Sequence, residues 1–451
     1  MKDIKFEREL KLLINYIREY GIHHAAIMKG DLPGSESHHQ FVIQVHKGYM
    51  LAQKSVLCNL TRVLQEKKQV KAKLKDANRS RDKQAGKECT LQLEKLEFQE
   101  VIFRKIMDSI AWTLLRLDIT DVRRLYGGEE PIDITDSNIE SCLEYSELVF
   151  SRNPLEFALI NDLTSFVQAG DILLYKYGES LSIIELKSGK INKRVLDLLG
   201  SYMECNCDRF LFLSLEKEDE KFKKQFERTV RQMEAESEVV HVLKTGQGTD
   251  RITGLQVNIS QERLELDTYT ETLISLVEKA RTKGYAIGAV EDCLFLGVYE
   301  NDRFPRGVFS EWMRGIKHKS PIYDLRQSLL DPVAFPLFLQ PFPTNTVVDI
   351  ALGRVSVLLC VDLDAWLSPL EKEGFTIQWM SKKETNKLYA KVKGKTCHLS
   401  FDGRALMIQK DDFSFILQGG AFVRMFTLFN TPSAMRKYFM AGYDRRDIHQ
   451  E

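Results

Sequence analysis

The sequence predicts an α/β protein in three parts: a helical arm over residues 1–125, an α/β core over 126–262 and an α+β domain over 263–451. Three observations carry this division. Apolar residues recur at helical spacing through most of the first part, and two short apolar runs flank a glycine-containing turn in the second. The third alternates short apolar runs, turns and helical patterns.

In the first part, residues 3–19 place Ile4, Leu10, Leu13, Ile14 and Ile17 on one helical face. His23, His24, His38 and His39 follow around Gly30, Pro33 and Gly34; with no cysteine or carboxylate at ligand spacing, they read as solvated loop residues. Residues 41–117 carry two helical apolar patterns separated by a polar stretch at 78–86, the signature of an antiparallel helical hairpin. Its tip is basic: Lys67, Lys68, Lys71, Lys73, Lys75, Arg79, Arg81, Lys83 and Lys87 stand against Asp76 and Asp82. Three readings stay open: solvated charge, a nucleic-acid grip through Lys71, Lys73, Lys75 and Arg79, or dimerisation through the arm. Glu88, Glu94, Glu97 and Glu100 on the returning helix are placed to absorb part of the charge.

Tyr126-Gly127-Gly128 and Pro131 open the core. Asp136 or Ser137 is expected to cap a helix to about residue 150, and residues 153–160 read as a second helix with Pro154 in its first turn. Residues 170–177 and 181–187 then read as a β-hairpin. A three-residue loop, Gly178, Glu179 and Ser180, pairs Tyr177 with Leu181, Leu173 with Glu185 and Asp171 with Lys187. Opposed residues share a face, so Asp171, Glu185 and Lys187 converge at one end. A two-residue loop would turn Asp171 away. Two carboxylates beside an ammonium suit a hard dication and a water: the metal stabilises charge on a phosphodiester, and the lysine orients the water.

Asp171, thirteen residues, then Glu185-Leu186-Lys187 resembles the PD-(D/E)XK nuclease superfamily over the middle third of the chain. The proline usual before the aspartate is replaced by Gly170. The resemblance implies a restriction-endonuclease-like mixed sheet, with Asp171 and Glu185 binding Mg²⁺ or Mn²⁺ and Lys187 positioning the attacking water. It also makes Glu156, on the helix expected before the first catalytic strand, a metal ligand or neighbour of one. Gln225, Arg228 and Gln232, a stripe on the helix expected over 217–241, become auxiliary residues facing metal or phosphate. A plain solvent face is the simpler account of that stripe. Between these elements a helix is expected over 193–203 and a strand over 209–215; Phe222, Phe226, Val230 and Met233 face inward, and 245–249 is a turn.

In the third part, residues 268–281 form a helix ending at Gly284, and 285–299 a hairpin turning at Glu291-Asp292. After a proline-rich stretch come a strand at 355–361, a helix at 365–373, strands at 375–380, 388–392, 397–401 and 405–409, and a helix at 433–440. Asp362 and Asp364 read as helix caps. Arg303, Arg306, Arg314, Lys317 and Lys319, among Phe304, Phe309 and Trp312, read as solvated charges over core aromatics.

Lys plus Arg and Asp plus Glu each number 64, so any nucleic-acid surface must be local. The first residues hold no apolar signal core, and the longest apolar stretch, 355–361, is far below the ~18 residues of a membrane span. Eight cysteines without zinc spacing read as reduced thiols in a cytoplasmic protein. The leading reading is a metal-dependent nuclease, with DNA favoured over RNA, and by analogy a bacterial restriction or phage-defence effector. With no Walker loop, a motor or sensor would be a separate partner. The rival is a non-enzymatic scaffold with a nuclease-like core, acting through its arm or as a homo-oligomer, with no membrane.

Overall fold

A computed structural model describes residues 3–25, 34–136, 138–179, 181–186, 190–249, 256–258, 266–301, 304–316, 321–391, 400–411 and 413–444. The chain divides into two units, residues 15–250 with 256–259, and residues 1–14 with 251–255 and 260–451. Helix α1 (Ile4–Arg18) is shared between them at Ile14.

In the unit that begins at Asn15, α2 (Tyr20–His24) precedes the arm, formed by α3 (Glu36–Ser80) and α4 (Lys83–Leu114). Ser35 caps α3 by accepting the His38 N–H. The arm turns where Arg81 adopts a left-handed conformation (φ 57°) and Asp82 accepts the N–H groups of Gln84 and Ala85. An aspartate N-cap directly after a left-handed residue ends one helix and starts the next within two residues. Leu60, Val63, Val70 and Ala77 of α3 and Leu96 of α4 are buried along the arm. His23, His24, His38 and His39 lie on α2 and α3, not in a loop.

Short helix α5 (Ile119–Leu125) and helix α6 (Ile139–Arg152) lead to a three-stranded antiparallel sheet of β1 (Glu156–Ile160), β2 (Ile172–Lys176) and β3 (Ser182–Ile184), in that order. Residues 153–160 are thus not the helix expected: Phe157 to Ile160 are fully buried and pair with β2 from Glu156↔Lys176 to Ile160↔Ile172. The outer edge of β1, the one not paired with β2, is closed by side chains. Gln53 and Ser146 both donate to the Ala158 carbonyl (3.2 and 2.7 Å), and the Gln53 amide oxygen accepts the Ile160 N–H at 2.9 Å. An edge satisfied in this way offers no ladder for another strand.

Helices α7 (Lys190–Cys205), α8 (Asp208–Glu216) and α9 (Glu220–Thr245) follow, then the small pair β4 (Gln247–Thr249) and β5 (Gln256–Asn258). Segment 209–215, expected as a strand, is helical. Phe222 and Phe226 face inward against Val195 and Leu199, with Val230 packed beside them, whereas Met233 is exposed. All strand pairings among the described residues are antiparallel, so the mixed sheet expected of a restriction-endonuclease-like core does not appear there.

The other unit is built around an antiparallel sheet in the order Tyr285–Val290, Leu294–Glu300, Val355–Val361, Ile322–Asp324. The helix Thr270–Lys283 precedes it and ends at Gly284 (φ 84°), and the hairpin turns on Glu291 and Asp292, both left-handed. A smaller sheet holds Thr376–Trp379, Arg404–Lys410, Ser400–Phe401 and Phe413–Ile416. Residues 388–391 are helical, within Lys382–Lys391, where a strand was expected; the expected strand at 397–401 is described only at Ser400–Phe401. No helix among the described residues is long and apolar enough to cross a membrane.

Candidate functional site

The strand pairs Ile172↔Ile184, Leu173↔Ile183 and Leu174↔Ser182 centre the β2–β3 hairpin on Gly178, not on Glu179. The register is therefore two residues away from the one expected. Because the displacement is even, side chains within the paired strands keep their faces, and Asp171 and Glu185 lie just past the last pair. Asp171 meets residues 184–186 instead of Lys187. Its N–H donates to the Ile184 carbonyl at 2.9 Å, and its Oδ2 accepts the Leu186 N–H at 2.6 Å. Backbone and side chain of Asp171 together bracket Glu185, and both residues are half-buried. Lys187 lies outside the described residues.

Three neighbours fix this end of the sheet. Gly170 adopts φ +65°, where proline, held near −65°, has no place; this accounts locally for the missing proline. Asn161, buried at the end of β1, donates its amide to the Ala169 and Gly170 carbonyls at 2.9 and 3.0 Å, while its own N–H donates to the Asp171 carbonyl. Asn138 stands at the N-cap of α6, a place expected for Asp136 or Ser137, and caps no helix N–H. Its amide instead donates to the Leu186 carbonyl at 3.3 Å.

Sequence reasoning missed Asp162. It follows Asn161 directly, and its charge reaches the same point as those of Asp171 and Glu185. Burial, and after it the negative charges of Asp171, Asp162 and Glu185, push the thiol of buried Cys142 up to about 12. A strand reading of residues 156–160 would have exposed the signal, since the β1–β2 register carries residues 161–162 to the Asp171 end.

Charged residues of α4 hold the Asn161–Ser165 turn from below. Arg104, 3% exposed, donates to the carbonyls of Asp162 (2.8 Å), Thr164 (3.2 Å) and Ile132 (2.8 Å) and pairs with Glu100. Asp108 accepts the Ser165 N–H at 2.7 Å and its hydroxyl at 2.5 Å, and pairs with Lys105. Buried charges survive only when paired and hydrogen-bonded in this way.

The other candidates are scattered. Glu156 is on a strand, not a helix; it opposes Lys176 and contacts Asn153. That is the turn end of the hairpin, about 17 Å from Asp171 at ~3.3 Å per residue, so Glu156 does not join the site. Gln225 donates to Asn192 at 2.8 Å and Arg228 is exposed; Gln232 lies on α9. Asp362 caps a helix by accepting the Ala365 N–H, as expected. Phe309 is buried and Trp312 packs on the same cluster, whereas Phe304 is 74% exposed.

Among the described residues no group of three or more His, Cys, Asp or Glu side chains is arranged to hold a metal. Asp171 and Glu185 bring two acidic residues to this end of the sheet. A hard dication such as Mg²⁺ keeps several waters and takes one or two protein carboxylates. Comparison with known proteins brings no match: no family model, no curated protein and no solved structure corresponds to this chain.

Proposed function

We propose that this chain is a divalent-metal-dependent nuclease that hydrolyses phosphodiester bonds, in DNA before RNA. The observation that supports it is the clamp of Asp171 around Glu185, made by the 2.9 Å bond to Ile184 and the 2.6 Å bond to Leu186. It sets two half-buried acidic residues at the end of a sheet, with Glu185 two residues before Lys187. Asp171 and Glu185 would hold Mg²⁺ or Mn²⁺, which when bound stabilises phosphodiester charge and supplies a hydroxide. Lys187 would orient the attacking water and neutralise developing charge. Asp162 adds negative potential that favours cation capture.

The test is cleavage of labelled single- and double-stranded DNA and RNA with Mg²⁺ or Mn²⁺, beside Glu185→Gln and Lys187→Ala. Both substitutions should lower the rate at least ~100-fold. Cleavage that survives both, or that appears with neither metal, overturns the reading.

A further inference from the structure

The arm divides the cations of its tip into two groups. Lys67 lies 2.5 Å from Glu100, and Lys68 lies 3.1 Å from Asp133 and 2.5 Å from Thr135. Beyond them, Lys71, Lys73 and Lys75 are exposed and make no ion pair among the described residues. Among the described residues Arg79 pairs with Asp76 alone, at 3.8 Å on an exposed turn of the helix. Lys71, Leu74, Lys75, Asn78 and Arg79 line one shallow open groove along α3. Their spacing of three, four, seven and eight residues is that of a single helical stripe, whereas Lys73, two residues after Lys71, points to the other side of the helix.

We propose that Lys71, Lys75 and Arg79 form a phosphate track that holds nucleic acid beside the carboxylate site, and that Lys73 takes no part in it. The choice of nucleic acid among polyanions rests on the nuclease reading and on the form of the groove. Three cations at about 6 Å intervals span about 12 Å of helix axis, the length over which one DNA strand presents three to four phosphates. Asn78 adds an amide donor of the kind that contacts phosphate and sugar. Leu74 is half-buried, so the stripe lacks the exposed apolar anchors of a membrane-surface helix. The foot of the stripe also connects to the site: Lys67 pairs with Glu100, Glu100 with Arg104, and Arg104 donates to the Asp162 carbonyl.

The test is fluorescence anisotropy with a labelled 20-base-pair duplex and the matching single strand, in EDTA, from 50 to 300 mM salt. The triple variant Lys71→Gln, Lys75→Gln, Arg79→Gln should bind at least ~10-fold more weakly at low salt, with the slope of log K against log salt flatter by ~2 to 3. Lys73→Gln should leave the slope within ~0.5 of the parent value. An unchanged slope in the triple variant, or a Lys73→Gln effect as large as that of a stripe residue, overturns the proposal. So does selective loss of binding to phosphatidylserine vesicles in place of duplex. The substituted side chains are exposed, and equal thermal melts will show that folding is intact. Because the readout is metal-free binding, it is independent of catalysis. Loss of the salt slope without Glu185-dependent cleavage removes only the nuclease reading, and the converse removes only the track.

Discussion

The Oδ2 of Asp171 accepts the backbone N–H of Leu186 at 2.6 Å, tying the start of one strand to the end of another through a carboxylate. The bond gives Asp171 two roles that substitution separates. Asp171→Ala leaves the Leu186 N–H without its acceptor and should cost about 1–3 kcal/mol in urea unfolding. Asp171→Asn keeps an acceptor oxygen and should cost less than ~1 kcal/mol, yet it removes the charge a dication needs. Both should lose cleavage by at least ~100-fold. Full activity in the asparagine variant would show that the carboxylate serves only as a structural acceptor.

Gly170 sets the direction from which Asp171 enters the strand. A Cβ there would lie 2.5 Å from Ile183 Cγ2 and 3.1 Å from the Ile184 carbonyl oxygen, on a backbone at φ +65°. The left-handed conformation alone costs a side chain about 1–2 kcal/mol. Gly170→Ala should therefore destabilise by at least ~2 kcal/mol, measured by urea unfolding, and lower cleavage by displacing Asp171. A change under ~0.5 kcal/mol would mean that this turn is looser than its contacts imply.

The hairpin was legible because parity survives error: any odd loop leaves the paired residues on the same faces, whether the turn centres on Gly178 or Glu179. The exact register was not legible, since both centres leave the apolar residues on the same faces. Segment 156–160 misled because a short apolar run buried on both faces has no period, and Pro154 before it is equally at home opening a helix. With β1 lost, the neighbourhood of Asp162 and Asp171 was lost too. Segment 209–215 misled in the opposite sense. Its Phe and Leu residues suggest a strand, yet in α8 none is fully buried, and only Leu211 and Leu215 pack, partly buried, on the core cluster of Val195, Leu199, Phe222 and Phe226, a contact that fits one helical face.

His46 adds a pH dependence independent of catalysis. Its ring is buried near Phe157, Tyr49 and Tyr175, and Nδ1 donates to the Pro154 carbonyl at 2.9 Å. Burial lowers its pKa to about 4, below the ordinary 6.5, despite the opposing Pro154 bond. Tyr49, pushed up to about 12 by burial, and Tyr175, also raised, stay neutral throughout this range. As pH falls through 6.5 the unfolded chain protonates first. The His46 contribution is therefore complete above 6.5, declines as pH falls and levels off near 4. At 1.36 kcal/mol per unit, about 2 kcal/mol is lost between pH 7.5 and 5. In His46→Gln the drop in stability between those two pH values should be smaller by that amount. An identical drop would mean that His46 already titrates normally in the folded protein.

Lys105 and Asp108 offer the sharpest stability test, because both side chains are essentially buried, at 3% and 0% exposure, 3.0 Å apart. Burial removes the solvent screening that makes surface pairs weak, and Ser165 supplies two further bonds to the same carboxylate. Asp108→Ala would take the counter-ion from a buried ammonium and should cost about 3–5 kcal/mol. Replacing both partners, Lys105→Met with Asp108→Leu, removes that charge and should recover part of the loss. It cannot restore the bonds to Ser165, on the turn that carries Asp162. The double variant should therefore regain stability in urea while cleavage stays below that of the parent. If stability and cleavage recover together, Asp108 acts only through its pairing with Lys105 and does not position the turn.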